Sequence, residues 1–141
     1  MSTQENKATF RRYVEEGWAK GNVEVADEVF AEGYVAHQPD GSEEKRGPED
    51  VKQFLRQYRE AFPELQITLE DQIAEDDKVV TRWSSLGTHR GEFRGIAPTG
   101  NEVSLTGMGI FRFSEGKVVE SWDNFDQLGM LRQLGAISSP E

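Results

Sequence analysis

The sequence predicts an α+β fold in which helices come first and antiparallel strands follow. Three observations carry this. Apolar residues recur at helical spacing as far as Phe62, they alternate at a period of two across the segments between Leu65 and Phe125, and no strand–helix–strand alternation of a parallel sheet appears. With 141 residues there is material for one core, so one domain over residues 1–141 is expected.

The first helix is read over Gln4 to Ala19, where Phe10, Tyr13, Val14, Gly17 and Trp18 form one apolar face. Gly21 stops it. Asn22 caps a second helix whose stripe is Val25, Ala26, Val29 and Phe30, and Gly33 ends that one. Tyr34 to His37 reads as a short strand before Pro39. Pro48 suits a first helical turn, because its missing amide needs no partner there. Val51, Phe54, Leu55, Tyr58 and Phe62 then repeat the helical stripe, closed by Pro63.

After that the period changes. Leu65, Ile67, Leu69 and Ile73 alternate with polar residues, as in a half-buried strand. The acidic turn Glu75-Asp76-Asp77 leads into a strand over Lys78 to His89. Gly91 to Gly100 is a loop rich in turn residues and a candidate lid. Val103 to Phe113 and Val118 to Phe125 are strands joined by a tight turn at Glu115-Gly116. Leu128, Leu131 and Leu134 suggest a closing helix that Gly135 stops. Gly87, Gly107 and Gly109 lie inside strands, where they mark either bulges or the close approach of another group.

Composition narrows the function. The chain has no cysteine, which excludes disulfides, thiolate zinc sites and a cysteine nucleophile. Its formal net charge is −10, the wrong sign for a partner whose phosphates need neutralising, so neither nucleic acid nor an anionic membrane is expected. No apolar run reaches the roughly 20 residues of a membrane span, and the polar start Met1 to Lys7 lacks a secretory signal, so a cytoplasmic location is expected. There are two histidines, not paired at ligand spacing, so no metal site is expected; no cofactor is expected either.

Several segments carry a family resemblance: Tyr34 to Pro39 (YVAHQP), Ala61 to Leu65 (AFPEL), Asp71 to Glu75 (DQIAE), Gly87 to Phe93 (GTHRGEF), Gly95 to Gly100 (GIAPTG), Ile110 to Phe113 (IFRF), Glu120 to Trp122 (ESW), Asp126 to Gly129 (DQLG) and Gln133 to Gly135 (QLG). In this order and spacing the chain resembles the SnoaL-like polyketide (ester) cyclases of the nuclear transport factor 2-like superfamily. The resemblance implies a cone-shaped, strongly curved, mainly antiparallel sheet wrapped around the N-terminal helices. It implies intramolecular aldol ring closure of a polyketide ester, without metal or covalent enzyme intermediate, by an aspartate near the end of the last strand. The matching position is Asp126. It also implies a homodimer formed through the exposed face of the sheet.

The residues themselves add physical reasons. If alternation holds, Glu120, Trp122, Asn124 and Asp126 share one face, and an aspartate in an apolar cone has its pKa raised by desolvation. Asp126 equally precedes Gln127-Leu128 and suits a helix cap. His89, with Trp83, Ser85 and Gly87 on its face, is a candidate to polarise a carbonyl, or else a core histidine bonded to backbone. His37 is expected at the rim. Asp71 interrupts an apolar face with Arg82 on the neighbouring strand. An epoxide-hydrolase-like set of Asp71, Arg82 and Asp126 requires all three to converge. Trp18, Trp83, Trp122 and Met108 are candidate walls of a pocket for a small apolar or aromatic ligand. A binding module without catalysis remains the alternative reading.

Overall fold

The computed structural model describes residues 2–137. Helix α1 runs over Thr3–Arg12 and opens with a reciprocal cap: the Glu5 amide donates to Ser2 Oγ at 3.0 Å, and the Ser2 amide donates to Glu5 Oε1 at 3.3 Å. The same helix continues to Ala19, but from Tyr13 its winding loosens into a seven-residue π-helical stretch. A 3₁₀ turn at Val23–Val25 leads into the single turn α2, Ala26–Val29.

Strand β1 begins at Phe30 and runs to His37. The helix expected through Phe30 to Gly33 is therefore shorter than its stripe suggested. Val29 and Phe30 are both buried, but the backbone extends at Phe30 (φ −109°, ψ 135°). Next comes a strand that periodicity did not announce, β2, Glu43–Lys45, three exposed charged residues paired to β1. Helix α3, Pro48–Ala61, starts on the expected proline, and the Gly47 amide donates to the Asp50 carboxylate at 2.9 Å. Strands β3 (Gln66–Glu75), β4 (Lys78–Thr88), β5 (Glu102–Ser114) and β6 (Lys117–Phe125) follow, then α4, Gln127–Gln133.

The strands form one six-stranded sheet in the order β2-β1-β6-β5-β4-β3. All pairings are antiparallel except β1 with β6. The sheet is curved and unclosed, with the helices on its inner face, the architecture that the segregated helices and strands imply.

Two irregularities decide which side chains face the helices. In β3 the register slips between Leu69, opposite Trp83, and Asp71, opposite Arg82, leaving Glu70 as the extra residue. Ile67 and Leu69 lie inside. Beyond the bulge Gln72 takes the inner position, its amide nitrogen donating to the Lys7 carbonyl of α1 at 3.1 Å, while Asp71 and Ile73 turn outward. In β6 the register slips between Val118, opposite Phe113, and Glu120, opposite Arg112, leaving Val119 extra. Val118, Ser121, Asp123 and Phe125 face inward, and Glu120, Trp122 and Asn124 face outward.

The inner face packs in two apolar clusters. One gathers around Phe10, Val29, Leu55 and Phe111, the other around Tyr58, Phe62, Val103 and Met130, and Trp18 packs against both. The loop expected as a lid is fastened down. Phe93 is buried against Tyr58 and Phe62, with ring centroids 4.9 and 5.8 Å apart, and the Arg90 and Gly91 amides donate to the Ala61 carbonyl at 2.9 and 3.2 Å. Gly91 lies so close to the Glu60 carbonyl that no side chain fits there. No described helix is long and apolar enough to cross a membrane.

Candidate functional site

A cavity of about 350 Å³ lies on the inner face of the sheet, its walls drawn from both apolar clusters. Phe10, Tyr13, Trp18, Phe54, Tyr58 and Phe62 line it from the helices, and Leu69, Thr81, Trp83, Leu105, Asp123 and Phe125 from the strands. That size admits a small organic molecule.

Its floor is shaped by missing side chains. Gly107 on β5 stands between Trp83 on β4 and Phe125 on β6, and Gly109 stands between Thr81 and Asp123. A methyl group at 107 would overlap the Trp83 indole, and one at 109 would overlap the Asp123 carboxylate and the Phe111 ring. Both side chains lie across the strand where no Cβ obstructs them. Close approach, rather than a bulge, is thus the reason for these two glycines.

Asp123 is the carboxylate of the cavity. Burial pushes its pKa up to about 7, against the opposing pull of the Arg46 guanidinium. Beside it Tyr34 Oη and Ser121 Oγ share a hydrogen bond of 2.5 Å, and burial raises the Tyr34 hydroxyl to about 12. Across the vacant side-chain position at Gly109, Thr81 is fully buried, and its hydroxyl has no partner among the described residues. A carboxyl group and an open hydroxyl therefore stand on one transverse row of the sheet, a strand apart on either side of a glycine.

The residues expected to act are distributed otherwise. Asp126 is exposed and caps α4, its Oδ1 accepting the Gly129 amide at 2.9 Å, and it does not line the cavity. The cap role weighed for it is the one it fills. His89 is completely buried but lies outside the lining. Its Nδ1 accepts the Thr99 amide at 3.2 Å and stands 3.0 Å from Thr99 Oγ1, while its Nε2 has no partner. That makes it an anchor of the 90–100 loop. Because Nδ1 accepts a backbone N–H, the neutral ring carries its proton on Nε2.

Trp122 faces outward because of the β6 bulge and stacks on His37, with centroids 4.9 Å apart and planes 3° from parallel. His37 borders the cavity, and its Nε2 meets Glu120 Oε2 at 2.6 Å. Asp71 and Arg82 form an ion pair on the outer face, at 2.7 Å from both Nε and Nη2, with each side chain half exposed or more. Met108 is 53% exposed on the same face. Asp71, Arg82 and Asp126 do not converge, so the epoxide-hydrolase-like set is not formed. Trp18 and Trp83 line the cavity.

Asp123 was missed because its side depends on the bulge. Counting twos from Val118 puts Glu120 and Trp122 inside; the extra residue at 119 puts Ser121 and Asp123 there instead. Among the described residues no three or more His, Asp or Glu side chains gather as a metal site would need.

Comparison with known proteins places this geometry. The chain's structure is similar to that of AclR from Streptomyces galilaeus, provisionally described as a hydroxylase, with 30% identity, a TM-score of 0.85, and coverage of 99% of this chain and 87% of that one. It is similar to a provisionally assigned SnoaL-like polyketide cyclase from Jannaschia sp. CCS1, with 26% identity, a TM-score of 0.84, and coverage of 98% and 95%. TsrD from Streptomyces laurentii is similar to the same degree, with 26% identity, a TM-score of 0.84, and coverage of 97% and 99%. No curated protein sequence matches. The model of the SnoaL-like polyketide cyclase family matches residues 8–134, from the middle of α1 to the end of α4, and the chain belongs to that family.

Proposed function

We propose that this protein is an acid/base catalyst of the ester-cyclase kind, closing a ring within an apolar or aromatic small molecule, with Asp123 moving the proton. The observation that carries this is a single carboxyl group at the floor of an apolar cavity, held by burial near the midpoint of its titration at neutral pH, at about 7.

The chemistry needs only proton transfers. The Asp123 carboxylate takes a proton from a carbon flanked by carbonyls. The enolate carbon attacks a second carbonyl of the same molecule, forming the C–C bond, and the Asp123 carboxylic acid returns the proton to the resulting alkoxide. The aromatic walls exclude water and hold the chain folded, which brings the two reacting carbons together. His89 polarises no carbonyl of the substrate and Trp122 forms no wall around it in this reading, since neither lines the cavity.

Deuterium exchange at the acidic carbon of an aromatic β-keto ester, followed by NMR, tests the base directly. The wild type is expected to accelerate exchange, with a rate that rises through an apparent midpoint near 7 as the base form appears. Asp123→Asn is expected to lower it at least ~100-fold, while Asp126→Asn stays within about twofold. Unchanged exchange in Asp123→Asn would overturn the assignment and leave the non-catalytic binding module as the better reading.

We also propose a homodimer through the outer face. A transverse apolar row runs through Ile73, Val80, Ile110 and Trp122. It is flanked by the Asp71–Arg82 and Arg112–Glu120 pairs, which offer both signs of charge to a two-fold-related copy. Sedimentation is expected to give a dimer at micromolar concentration. A monomer there removes the proposal, and Ile110→Lys is expected to dissociate the dimer.

A further inference from the structure

We propose that the ligand of this cavity is an organic anion: an apolar, aromatic body bearing one carboxylate-like group that Arg46 and Arg94 bind at the cavity mouth. This rests on the reading of the cavity as a small-molecule site and adds the charge of the molecule it takes.

The net charge of −10 disfavours anions over the surface as a whole, yet both arginines that border the cavity offer it donors. Arg46 follows β2, and its amide donates to the Tyr34 carbonyl at 2.7 Å, which fixes its backbone beside the mouth. Its guanidinium lies 5.7 Å from the centre of the Phe54 ring, a cavity wall. Nε and Nη2 both donate to one oxygen of Glu44, Oε2, at 2.8 and 2.5 Å, while Nη1 has no partner among the described residues. The pair is also oriented: the Arg46 side chain is 26% exposed and that of Glu44 53%, so the carboxylate faces water and the cation faces inward. Its charge is felt inside, where it opposes the burial that raises Asp123 and Tyr34.

Arg94 is the second arginine of the cavity lining. It sits in the tight hairpin between Phe93 and Ile96 at φ 48°, and its guanidinium lies 5.1 Å from the centre of the Phe93 ring. Its charge likewise opposes the burial that raises the Tyr58 hydroxyl on the cavity wall. It takes part in none of the ion pairs found among the described residues. Among the described residues Glu44 and Asp123 are the only carboxylates in the lining; the first is turned toward solvent and the second lies at the floor. An anionic group at the mouth would therefore meet two planar donors suited to a carboxylate, and the apolar body would extend inward toward Asp123.

Two dyes with one aromatic framework separate charge from apolar fit: 8-anilinonaphthalene-1-sulfonate, which is anionic, and N-phenyl-1-naphthylamine, which is neutral. Each is titrated by fluorescence into wild type, Arg94→Gln, Arg46→Lys and the double variant Arg46→Gln/Arg94→Gln. The ratio of anionic to neutral affinity is expected to fall about tenfold in the double variant and about threefold in Arg94→Gln, an exposed position whose change leaves the fold intact. Arg46→Lys, which keeps the charge, is expected to retain most of the ratio, and 0.5 M salt to lower it in wild type and in Arg46→Lys but not in the double variant. A ratio unchanged within twofold in both Gln variants, or failure of the anionic dye to saturate in wild type, overturns the inference. The Asp123→Asn variant keeps or raises the ratio while losing carbon-acid exchange, so failure of the anion site and failure of the proposed catalysis are read separately.

Discussion

Glu120 and Asp123 stand three residues apart on β6 and are driven in opposite directions. Glu120, on the outer face, takes hydrogen bonds from Arg112 at 2.9 Å and from His37 at 2.6 Å, and these partners hold its pKa below the usual carboxylate range. Asp123, on the inner face, is offered only the pull of Arg46 against desolvation, and it rises to about 7. Their chemistry differs because of the side of the sheet each occupies, and one inserted residue, Val119, decides that side. A bulge of this kind re-aims the whole remainder of a strand.

The sharpest way to test the contrast is the pH dependence of stability. Asp123 has a folded pKa above its unfolded value, near 3.8, so the folded state binds the extra proton between the two values. Stability from this group is fully present below about 4 and lost as pH rises through about 7, a span worth up to about 4 kcal/mol at 1.36 kcal/mol per pKa unit. Asp123→Asn is expected to flatten that decline in urea unfolding followed from pH 4 to 8. Glu120 has the opposite sign, giving stability above its unfolded pKa that is lost as pH falls through its folded one. Glu120→Gln is expected to change only the acid limb.

Next in size is the floor. Gly107→Ala forces the Trp83 indole from its seat and is expected to cost about 1–3 kcal/mol, with a shift in tryptophan fluorescence; unchanged emission and stability would show that the indole does not need the gap. Smaller is the cap. Asp126→Ala is expected to lose about 1 kcal/mol by denaturant unfolding and to leave carbon-acid exchange intact, which separates it from its neighbour inside the cavity. Smallest is the outer pair, where Asp71→Ala is expected to cost under about 1 kcal/mol, since exposed ion pairs contribute little. A loss of several kcal/mol there would mean that the second copy of the proposed dimer buries the pair rather than leaving it at the rim.

These contrasts also show what the residues disclose by themselves. Helical and alternating periods place α3 and β3 to β6 within a few residues, because each buries one face and must repeat accordingly. β2 escapes because Glu43, Glu44 and Lys45 are all exposed and bury nothing. The end of α2 escapes because Phe30 continues the apolar stripe as well in extended as in helical geometry. Trp83 is found in the wall because no irregularity of its own strand intervenes between it and the pattern that predicts it, and Trp18 keeps its place there although the helix loosens from Tyr13 onward. Asp71, Trp122 and Asp123 all lie beyond a bulge, where alternation counted from the apolar end assigns the wrong side. Met108 is different: it alternates correctly with Gly107 and Gly109, but those glycines, not the methionine, mark the inner face. Nothing local in Val118-Val119-Glu120 signals the insertion; only its pairing with Arg112 and Phe113 does.

The trough that Gly107 and Gly109 leave in β5 has a consequence for how such a scaffold diversifies. Trp83 and Asp123 lie over bare backbone, so exchanging the indole for a smaller or differently shaped group reshapes the chamber around a fixed Asp123 without tearing the sheet beneath it. Substrate scope in this architecture can therefore drift through β4 while β5 itself stays constant.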